Sequence, residues 1–509
     1  MLARINTIAL EGVVGVPVEV EVDLSRGLPT LSIVGLPEAT VREAKDRVRA
    51  ALVNSGYQIP TRRITINLAP AHLPKVGSAY DLPMALGLLV AMGKLPQQVM
   101  DSRVVMGELS LDGRLRSITG ALPAALYAKR DGFSELIVPK ENGVEAALIA
   151  ELRVVAPATF LELVRHLLGE EPIVPVVTTG LQDWVGEESR LVRDMEDVKG
   201  QEHAKQSLEV VAAGGHNLIM SGPPGSGKTL LARCLPGLLP DMSLDEALEV
   251  TAIHSVAGKL HPGQPIVGVR PFRSPHHNSS QGALVGGGSI PKPGEVSLAH
   301  RGVLFLDEIP EFGRSTLEVL REPLEAGEVN ISRAARSASF PADFQLVAAF
   351  NPCPCGHLGN PYRECRCSRV RIAQYRARLS GPLMDRIDLH VEVPPVPHEI
   401  LIALPTGESS ADIRLRVVAA RERQYARNGP GILNSTLDGK ILEKNAALNK
   451  ESQTLLLNAG KKLSFSARTH NRLRRVARTI ADLADSSNIG VEHLAEAIQY
   501  RVGDSYSGD

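Results

Sequence analysis

The sequence predicts a multidomain α/β protein, with an N-terminal α+β block, a central P-loop α/β domain and a C-terminal all-α region. Three observations predict it. The 509 residues amount to roughly three domains at about 150 residues each. An apolar run, a glycine-rich loop and a helical stretch follow one another from His216 onward, the order of a nucleotide-binding unit. Residues 410 to 503 carry apolar residues at helical spacing only. Apolar residues at 43% and charged residues at 22% exclude a mainly disordered or collagenous chain. With 56 Lys+Arg against 57 Asp+Glu, a uniformly basic nucleic-acid coat is excluded, whereas a local basic patch is not. Aromatic residues at 4% argue against a base-stacking platform for single strands.

In chain order, Thr30 to Val34 and Ile64 to Leu68 read as strands, and Ala39 to Ser55 as a helix with a charged wet face. Leu82 to Met92 reads as an apolar helix, and Asp112-Gly113 as the turn of a hairpin joining Val104–Leu111 to Arg114–Ile118. The stretch Leu82 to Gly93 is the longest apolar run and is too short to span a bilayer. The opening residues MLARINTIALEGV carry no signal-peptide pattern, and five cysteines, an odd number, fit a reducing compartment. The expectation is a cytoplasmic protein with no membrane partner. Residues 171 to 195 mix Pro, Thr, Gly and charges and read as a linker. A second punctuation falls at Val393-Pro-Pro-Val-Pro-His-Glu-Ile400.

The phosphate loop is Gly222-Pro223-Pro224-Gly225-Ser226-Gly227-Lys228-Thr229, a GxxxxGK[ST] pattern between a strand and a helix. Its glycines let backbone N–H groups curl around phosphate, and the helix start adds a positive dipole end. Lys228 would neutralise β/γ oxygens, and Thr229 offers a hydroxyl to Mg²⁺. The run Val303-Leu-Phe-Leu306 ends in Asp307 and Glu308, one to bind the metal ion and one to polarise a water. The strand Phe344 to Phe350 ends at Asn351, an amide suited to orienting that water.

These elements resemble the Walker A, Walker B and sensor-1 motifs of an AAA+ ATPase. The stretches RPFRSPHHNSSQGALVGGGSIPKPGEVSLAHRGVLFLDEIPEF and LSGPLMDRIDLHVEVP are similar to the magnesium-chelatase subunit I group. With the N-terminal block included, nearly the whole chain resembles the ComM/YifB family of magnesium-chelatase-like proteins. The resemblance implies ATP and Mg²⁺ as ligands, a homo-hexameric ring, DNA as the partner, and branch migration during natural transformation, with recombination proteins as further partners. It implies a trans arginine finger at Arg386 and a sensor-2 arginine at Arg468, with Arg472 and Arg475 as alternatives on the same helix face. The implied domains are 1–170, an S5-fold block resembling the Lon protease domain; 171–195, a linker; 196–393, the AAA+ core; and 394–509, a helical lid. In the first block Ser78 lies beside the Lon nucleophile position, which Ala79 occupies, and Leu122 and Ala124 stand at the lysine positions. Without that base no peptidase activity is expected. Lys75, Ser78 and Asp81 then suggest a docking or DNA-guiding surface, or a plain scaffold.

Residues 330 to 386 hold nine arginines against Asp343, Glu364 and Asp385, and residues 461 to 480 hold seven Lys/Arg and no acid. Such loops can neutralise phosphates without reading sequence. In the related clade, the segments 330–343 and 286–294 are pore hairpins, which makes Lys292, Arg333 and Arg336 the candidate DNA contacts. Cys353, Cys355, Cys365 and Cys367 form a C-x-C, C-x-C pattern, a candidate structural Zn²⁺ site with His357 as an alternative ligand and plain reduced thiols as the alternative reading. Cys234 reads as core. A different class of function, ATP-driven remodelling of a protein partner without DNA action, stands as the alternative.

Overall fold

The computed structural model describes residues 2–178, 193–260, 265–333, 336–361, 363–402, 407–463 and 465–502. It is a mixed α/β molecule with two large sheets and a helical C-terminal region. The N-terminal sheet has seven strands in the order Thr30–Val34, Arg63–Ala69, Val14–Ser25, Leu2–Glu11, Arg103–Val105, Glu135–Ile137, Arg153–Val155. The two expected strands and both expected helices are present, the helices as Ala39–Asn54 and Asp81–Ala91. All of Asp81–Ala91 is buried, which explains why it is apolar on every face.

Two differences from the sequence reading concern strands. The longest ladder, Leu2–Glu11 paired antiparallel with Val14–Ser25, is absent from the expectations. Its signal is the alternation Val18-Glu-Val-Glu-Val-Asp23, whose three valines are buried. The hairpin at Asp112-Gly113 is shorter than expected, only Glu108–Leu109 against Leu115–Arg116. Val104 and Val105 leave it for the large sheet, where both are fully buried between parallel neighbours.

The suggestion of a docking surface at Lys75, Ser78 and Asp81 is corrected. Lys75 and Asp81 have no exposure, and the Ser78 hydroxyl donates to Glu108. Asp81 accepts both forks of Arg47 at 2.7 and 2.9 Å, and the Lys75 ammonium donates to the Pro70 carbonyl. Burial pulls Lys75 below the ordinary lysine value, to about 8. Stability therefore rises with pH from about 8 to the ordinary lysine value, because over that window the unfolded chain binds the extra proton. Lys75→Met is expected to stabilise the fold at pH 7 by about 1–3 kcal/mol and to abolish that alkaline rise. Denaturant unfolding at pH 7 and pH 10 checks it, and an unchanged alkaline rise would refute it.

The central sheet has five parallel strands in the order Phe272–Arg273, Val303–Leu306, Gln345–Phe350, Leu218–Ser221, Leu389–Glu392. Successive residues face opposite cores. Met220, Phe305 and Val347 pack with the helices Glu202–Gly214, Lys228–Leu238 and the C-terminal helices. Ile219, Leu304 and Leu346 pack on the other face, with Leu317, Phe340 and Ile387. The phosphate-loop strand is the fourth of the five, paired with Gln345–Phe350 on one side and Leu389–Glu392 on the other, and its loop leaves from the strand ends where open parallel sheets bind ligands.

The N-terminal block docks on the helix Leu244–Ala257. Ala252 joins the apolar cluster of Leu122, Ala124 and Ala128, and Ser255 donates to the buried Glu145 carboxylate. Glu145 also accepts the Leu122 amide at 2.9 Å, and Ser255 accepts the Gly120 amide at 3.0 Å. At the other end of the block, the turn at Gly12 rests on the backbone of Ser339, leaving no room for a Cβ. Only residues 179–192 of the expected linker fall outside the described residues. Of its ends, Val176 pairs with Val154 at 2.9 Å and Met195 is fully buried.

The C-terminal helices Ser410–Asn428, Lys450–Leu463, Ala467–Leu483 and Val491–Val502 follow the expected periodicity, with a short helix Gly439–Asn445 added. Several of the basic residues in 461–480 are engaged internally. Arg474 donates to the carbonyls of Ala446 and Leu442, and Arg478, 2% exposed, pairs with Asp482. Among the described residues no helix is long and apolar enough to cross a membrane.

Candidate nucleotide site

The strand Leu218–Ser221 is buried throughout and delivers the phosphate loop to the edge of the sheet. Gly222 sits against the Val393 carbonyl, where any side chain would collide, and its amide donates to Phe350 at 3.2 Å. Gly225 and Gly227 take φ of 79° and 94°, which side-chain-bearing residues rarely adopt. The loop then opens into the helix Lys228–Leu238. All eight loop residues, Gly222 to Thr229, therefore lie in the strand–loop–helix context the pattern requires.

Lys228 is buried and folds back over the loop, donating to the carbonyls of Gly222 and Pro223 at 2.7 and 3.0 Å. Its ammonium lies 3.4 Å from the Asn351 amide oxygen. Burial pulls its pKa down, while the carboxylates of Asp307 and Glu308 push it back up. The Thr229 hydroxyl donates to Asp307 at 2.8 Å. Five residues from three neighbouring strand ends thus converge: Lys228, Thr229, Asp307, Glu308 and Asn351. A hydroxyl and a carboxylate oxygen held together are the hard donors that Mg²⁺ takes. Glu308 has a left-handed backbone, φ 51°, and its half-exposed carboxylate turns toward His277 Nδ1 at 3.5 Å.

Arg386 lies elsewhere. It donates to the Pro382 carbonyl at 2.5 Å and pairs with Glu325. It lines a groove of about 660 Å³ with Gln281, Glu318, Glu325 and Asn330, and no phosphate-loop residue borders that groove. Arg468 is exposed and approaches Asp385 at 3.6 Å, while Arg472 is buried and bridges Asp385 and Asp388 at 3.8 and 4.0 Å. Both of these arginines of the C-terminal helices therefore meet the turn that carries Arg386, not the phosphate loop. That turn is tied to the phosphate-loop strand through Asn217, which donates to the Arg386 carbonyl at 3.0 Å and whose own amide donates to Asp388 at 3.0 Å. Burial opposes the charge on Asp388, but His216, the Asn217 amide and Arg472 outweigh it and hold the carboxyl below its ordinary value.

The segment 330–343 contributes to the hairpin Glu328–Arg333 and Arg336–Pro341, with Arg333 opposite Arg336 at its end. Gly286–Gly287 pairs with Lys292–Pro293, and Lys292 is exposed. The two hairpins touch, since Gly286 lies against Ile331. The sulfurs of Cys353, Cys355, Cys365 and Cys367 lie within 4.8 Å of one another, and His357 is not part of that group. Cys234 is fully buried, as expected of core.

Sequence reasoning missed three residues. Gln201 donates to the carbonyls of Ser226 and Pro394 at 3.2 and 2.5 Å, clasping the phosphate loop from the residue just before the helix Glu202–Gly214. His277 and Glu325 face Glu308 and Arg386 across long sequence separations. The only local signal was the His276-His277 pair in a polar run.

The family model described as magnesium chelatase, subunit ChlI, matches residues 194–401, with related models at 20–142 and at 407–501, the last described as the ChlI C-terminal part. YifB of Escherichia coli strain K12 is 47% identical over 511 residues, covering 99% of this chain and 97% of that protein. The competence protein ComM of Haemophilus influenzae is 45% identical over 504 residues, covering 98% and 97%. The magnesium-chelatase 67 kDa subunit of Chlorobaculum parvum is 27% identical over 162 residues, 31% of this chain and 23% of that protein. By the length and identity of these matches, the chain belongs to the ComM/YifB family of magnesium-chelatase-like proteins.

Proposed function

We propose that this protein is an ATP-dependent DNA motor that works as a hexameric ring and drives branch migration of recombination intermediates. The single observation that carries the reading is the split of the ATPase residues between two surfaces. Lys228, Thr229, Asp307, Glu308 and Asn351 converge at one strand-end crevice, while Arg386 borders a separate groove and is paired with Glu325. A phosphoryl-transfer site needs a cation on the spreading charge, so an Arg386 supplied by a neighbouring subunit completes it. The phosphate loop would hold the β/γ oxygens through its amides and Lys228. Thr229 and Asp307 would hold Mg²⁺, which when bound adds charge neutralisation. Glu308 would take the proton of the attacking water, and Asn351 would orient that water. Arg468 or Arg472 would couple the lid to the Arg386 turn. The implied domain limits, 1–170, 171–195, 196–393 and 394–509, and the Lon-like character of the first block belong to this same reading.

The DNA part rests on the two touching hairpins that carry Lys292, Arg333 and Arg336, and on the competence name of a relative 45% identical. Hairpin cations facing a pore would track phosphates without sequence preference. Steady-state ATP hydrolysis is measured with single-stranded, duplex and four-way-junction DNA. Several-fold stimulation is expected, largest on the junction. Replacing Lys292, Arg333 and Arg336 together by alanine is expected to weaken DNA binding and to lower the slope of log affinity against log salt by about one per lost phosphate contact. Hydrolysis indifferent to every DNA would overturn the motor reading and favour the second one, ATP-driven remodelling of a protein partner. The similarity of 162 residues to a magnesium-chelatase subunit is the observation on that side.

A further inference from the structure

Among the described residues, the four cysteines are the one cluster of His, Cys, Asp and Glu side chains whose ligand atoms converge closely enough to hold a metal ion. The Sγ of Cys353 lies 3.4 Å from that of Cys355 and 3.6 Å from that of Cys365, and Cys355 lies 3.6 Å from Cys365. A disulfide needs about 2.05 Å. Four sulfurs around Zn²⁺, with bonds of about 2.3 Å, sit about 3.8 Å apart at the corners of a tetrahedron. The observed separations approach that edge. The amides of Leu358 and Cys367 donate to the sulfurs of Cys353 and Cys365 at 3.4 and 3.5 Å, which fixes where those two sulfurs sit.

The place of this cluster decides what it does. Between Phe350 and Arg369 the described residues form no helix and no strand, so backbone ladders do not order the stretch. It starts at Asn351, two residues before the fully buried Cys353. Its backbone at Gly356, φ 78°, rests on the phosphate loop, where a Cβ would come within 2.5 Å of Pro224 Cδ. The loop that carries the thiols is therefore also a wall of the nucleotide site.

We propose that Cys353, Cys355, Cys365 and Cys367 bind one Zn²⁺, and that the loop closed by this ion is the positioning device that holds Asn351 and braces Pro224 for ATP hydrolysis. The second half rests on the reading of Asn351 given above. The ion touches neither ATP nor water; its effect passes through the backbone from Cys353 to Asn351 and from Gly356 to Pro224. Soft thiolates and a tetrahedral arrangement select Zn²⁺ over the Mg²⁺ of the neighbouring oxygen site.

The test uses the full chain, purified with reductant, and reads metal content and hydrolysis separately. Elemental analysis is expected to find about one zinc per chain, lost in the Cys365→Ser/Cys367→Ser double variant. Removing zinc from the wild type with a mercurial and a chelator, then re-adding reductant and ZnCl₂, avoids dependence on that variant folding. Zinc removal is expected to lower kcat about tenfold to a hundredfold and re-addition to restore it. In an Asn351→Ala background the same removal is expected to lower kcat by a smaller factor than in the wild type, because the route through Asn351 is gone and only the brace on Pro224 remains; an equal factor in both backgrounds overturns the route through Asn351. Protein that takes up no zinc when ZnCl₂ is added, or that carries iron in its place, overturns the site. Zinc bound at one per chain but removable without change in kcat overturns the positioning role. If the chain hydrolyses no ATP at all, the ATPase reading fails while the metal count still decides the site.

Discussion

Glu308→Gln is expected to lower ATP turnover by about a thousandfold while nucleotide binding is retained. The substitution keeps the size and shape of the side chain and removes only its capacity to take a proton. Glu308 stands at the end of a fully buried strand, next to the carboxylate that accepts from Thr229, and its carboxylate is half exposed. Its carboxylate, half exposed and with one oxygen 3.5 Å from His277, can still meet a water, whereas Asp307 accepts from Thr229. Lys228→Ala is expected to fail earlier, at binding, because the ammonium bridges the loop carbonyls and faces the site where phosphate would sit. Equilibrium binding of a fluorescent ATP analogue beside steady-state turnover separates the two. A Glu308→Gln protein that still hydrolyses ATP within tenfold of wild type would remove Glu308 from the role of base.

The second large effect belongs to Arg386. Arg386→Ala is expected to reduce kcat by about 10³-fold or more, the range of a trans-acting arginine. In one chain this guanidinium faces Glu325 and a groove that holds no phosphate-loop residue, so its loss should leave nucleotide binding to the isolated chain intact. The decisive form of the experiment mixes two inactive proteins. Arg386→Ala subunits keep a whole phosphate loop, and Lys228→Ala subunits keep Arg386. Mixed rings are expected to recover a measurable fraction of activity, since some interfaces pair an intact loop with an intact arginine. Recovery of nothing, at any mixing ratio under conditions of assembly, would place Arg386 outside the neighbour's site. In the proposed ring, docking against a neighbour would exchange the Glu325 carboxylate for phosphate oxygens, so Arg386 would not be left as a desolvated free charge.

Much of the candidate nucleotide site was legible because it is written in contiguous residues. GPPGSGKT needs a strand before it and a helix after it, and both are local patterns. The strand ending in Asp307-Glu308 and the strand ending at Asn351 were legible for the same reason, as apolar runs with polar tips. Their adjacency followed from a parallel sheet, in which strand ends gather at one edge. The hairpins at 286–293 and 328–341 came from resemblance, not from periodicity, and the touching of Gly286 and Ile331 came from neither. Lys75 and Asp81 were misread as surface because charge in a polar stretch usually means solvent; here Lys75 pairs with Pro37 and reaches the Pro70 carbonyl, and Asp81 opens a buried helix and is held by Arg47. The basic stretch 461–480 misled in the same way: Arg474 and Arg478 spend their charge on carbonyls and on Asp482 among the C-terminal helices.

Local sequence specifies the chemistry of each piece: a glycine-rich loop, two carboxylates on a strand tip, an amide on the next, four thiols in pairs, and helices that hide one face. Those follow from neighbours within one turn or one strand, where the spacing of side chains is set by backbone geometry alone. Only the tertiary structure decided which pieces meet. It set Thr229 on Asp307 across 78 residues, tied the Arg386 turn to the phosphate-loop strand through Asn217, laid the cysteine loop against Pro224, and docked Glu145 of the first block on Ser255. Such contacts depend on how whole layers pack and on which buried polar groups then find partners, and no local spacing records that.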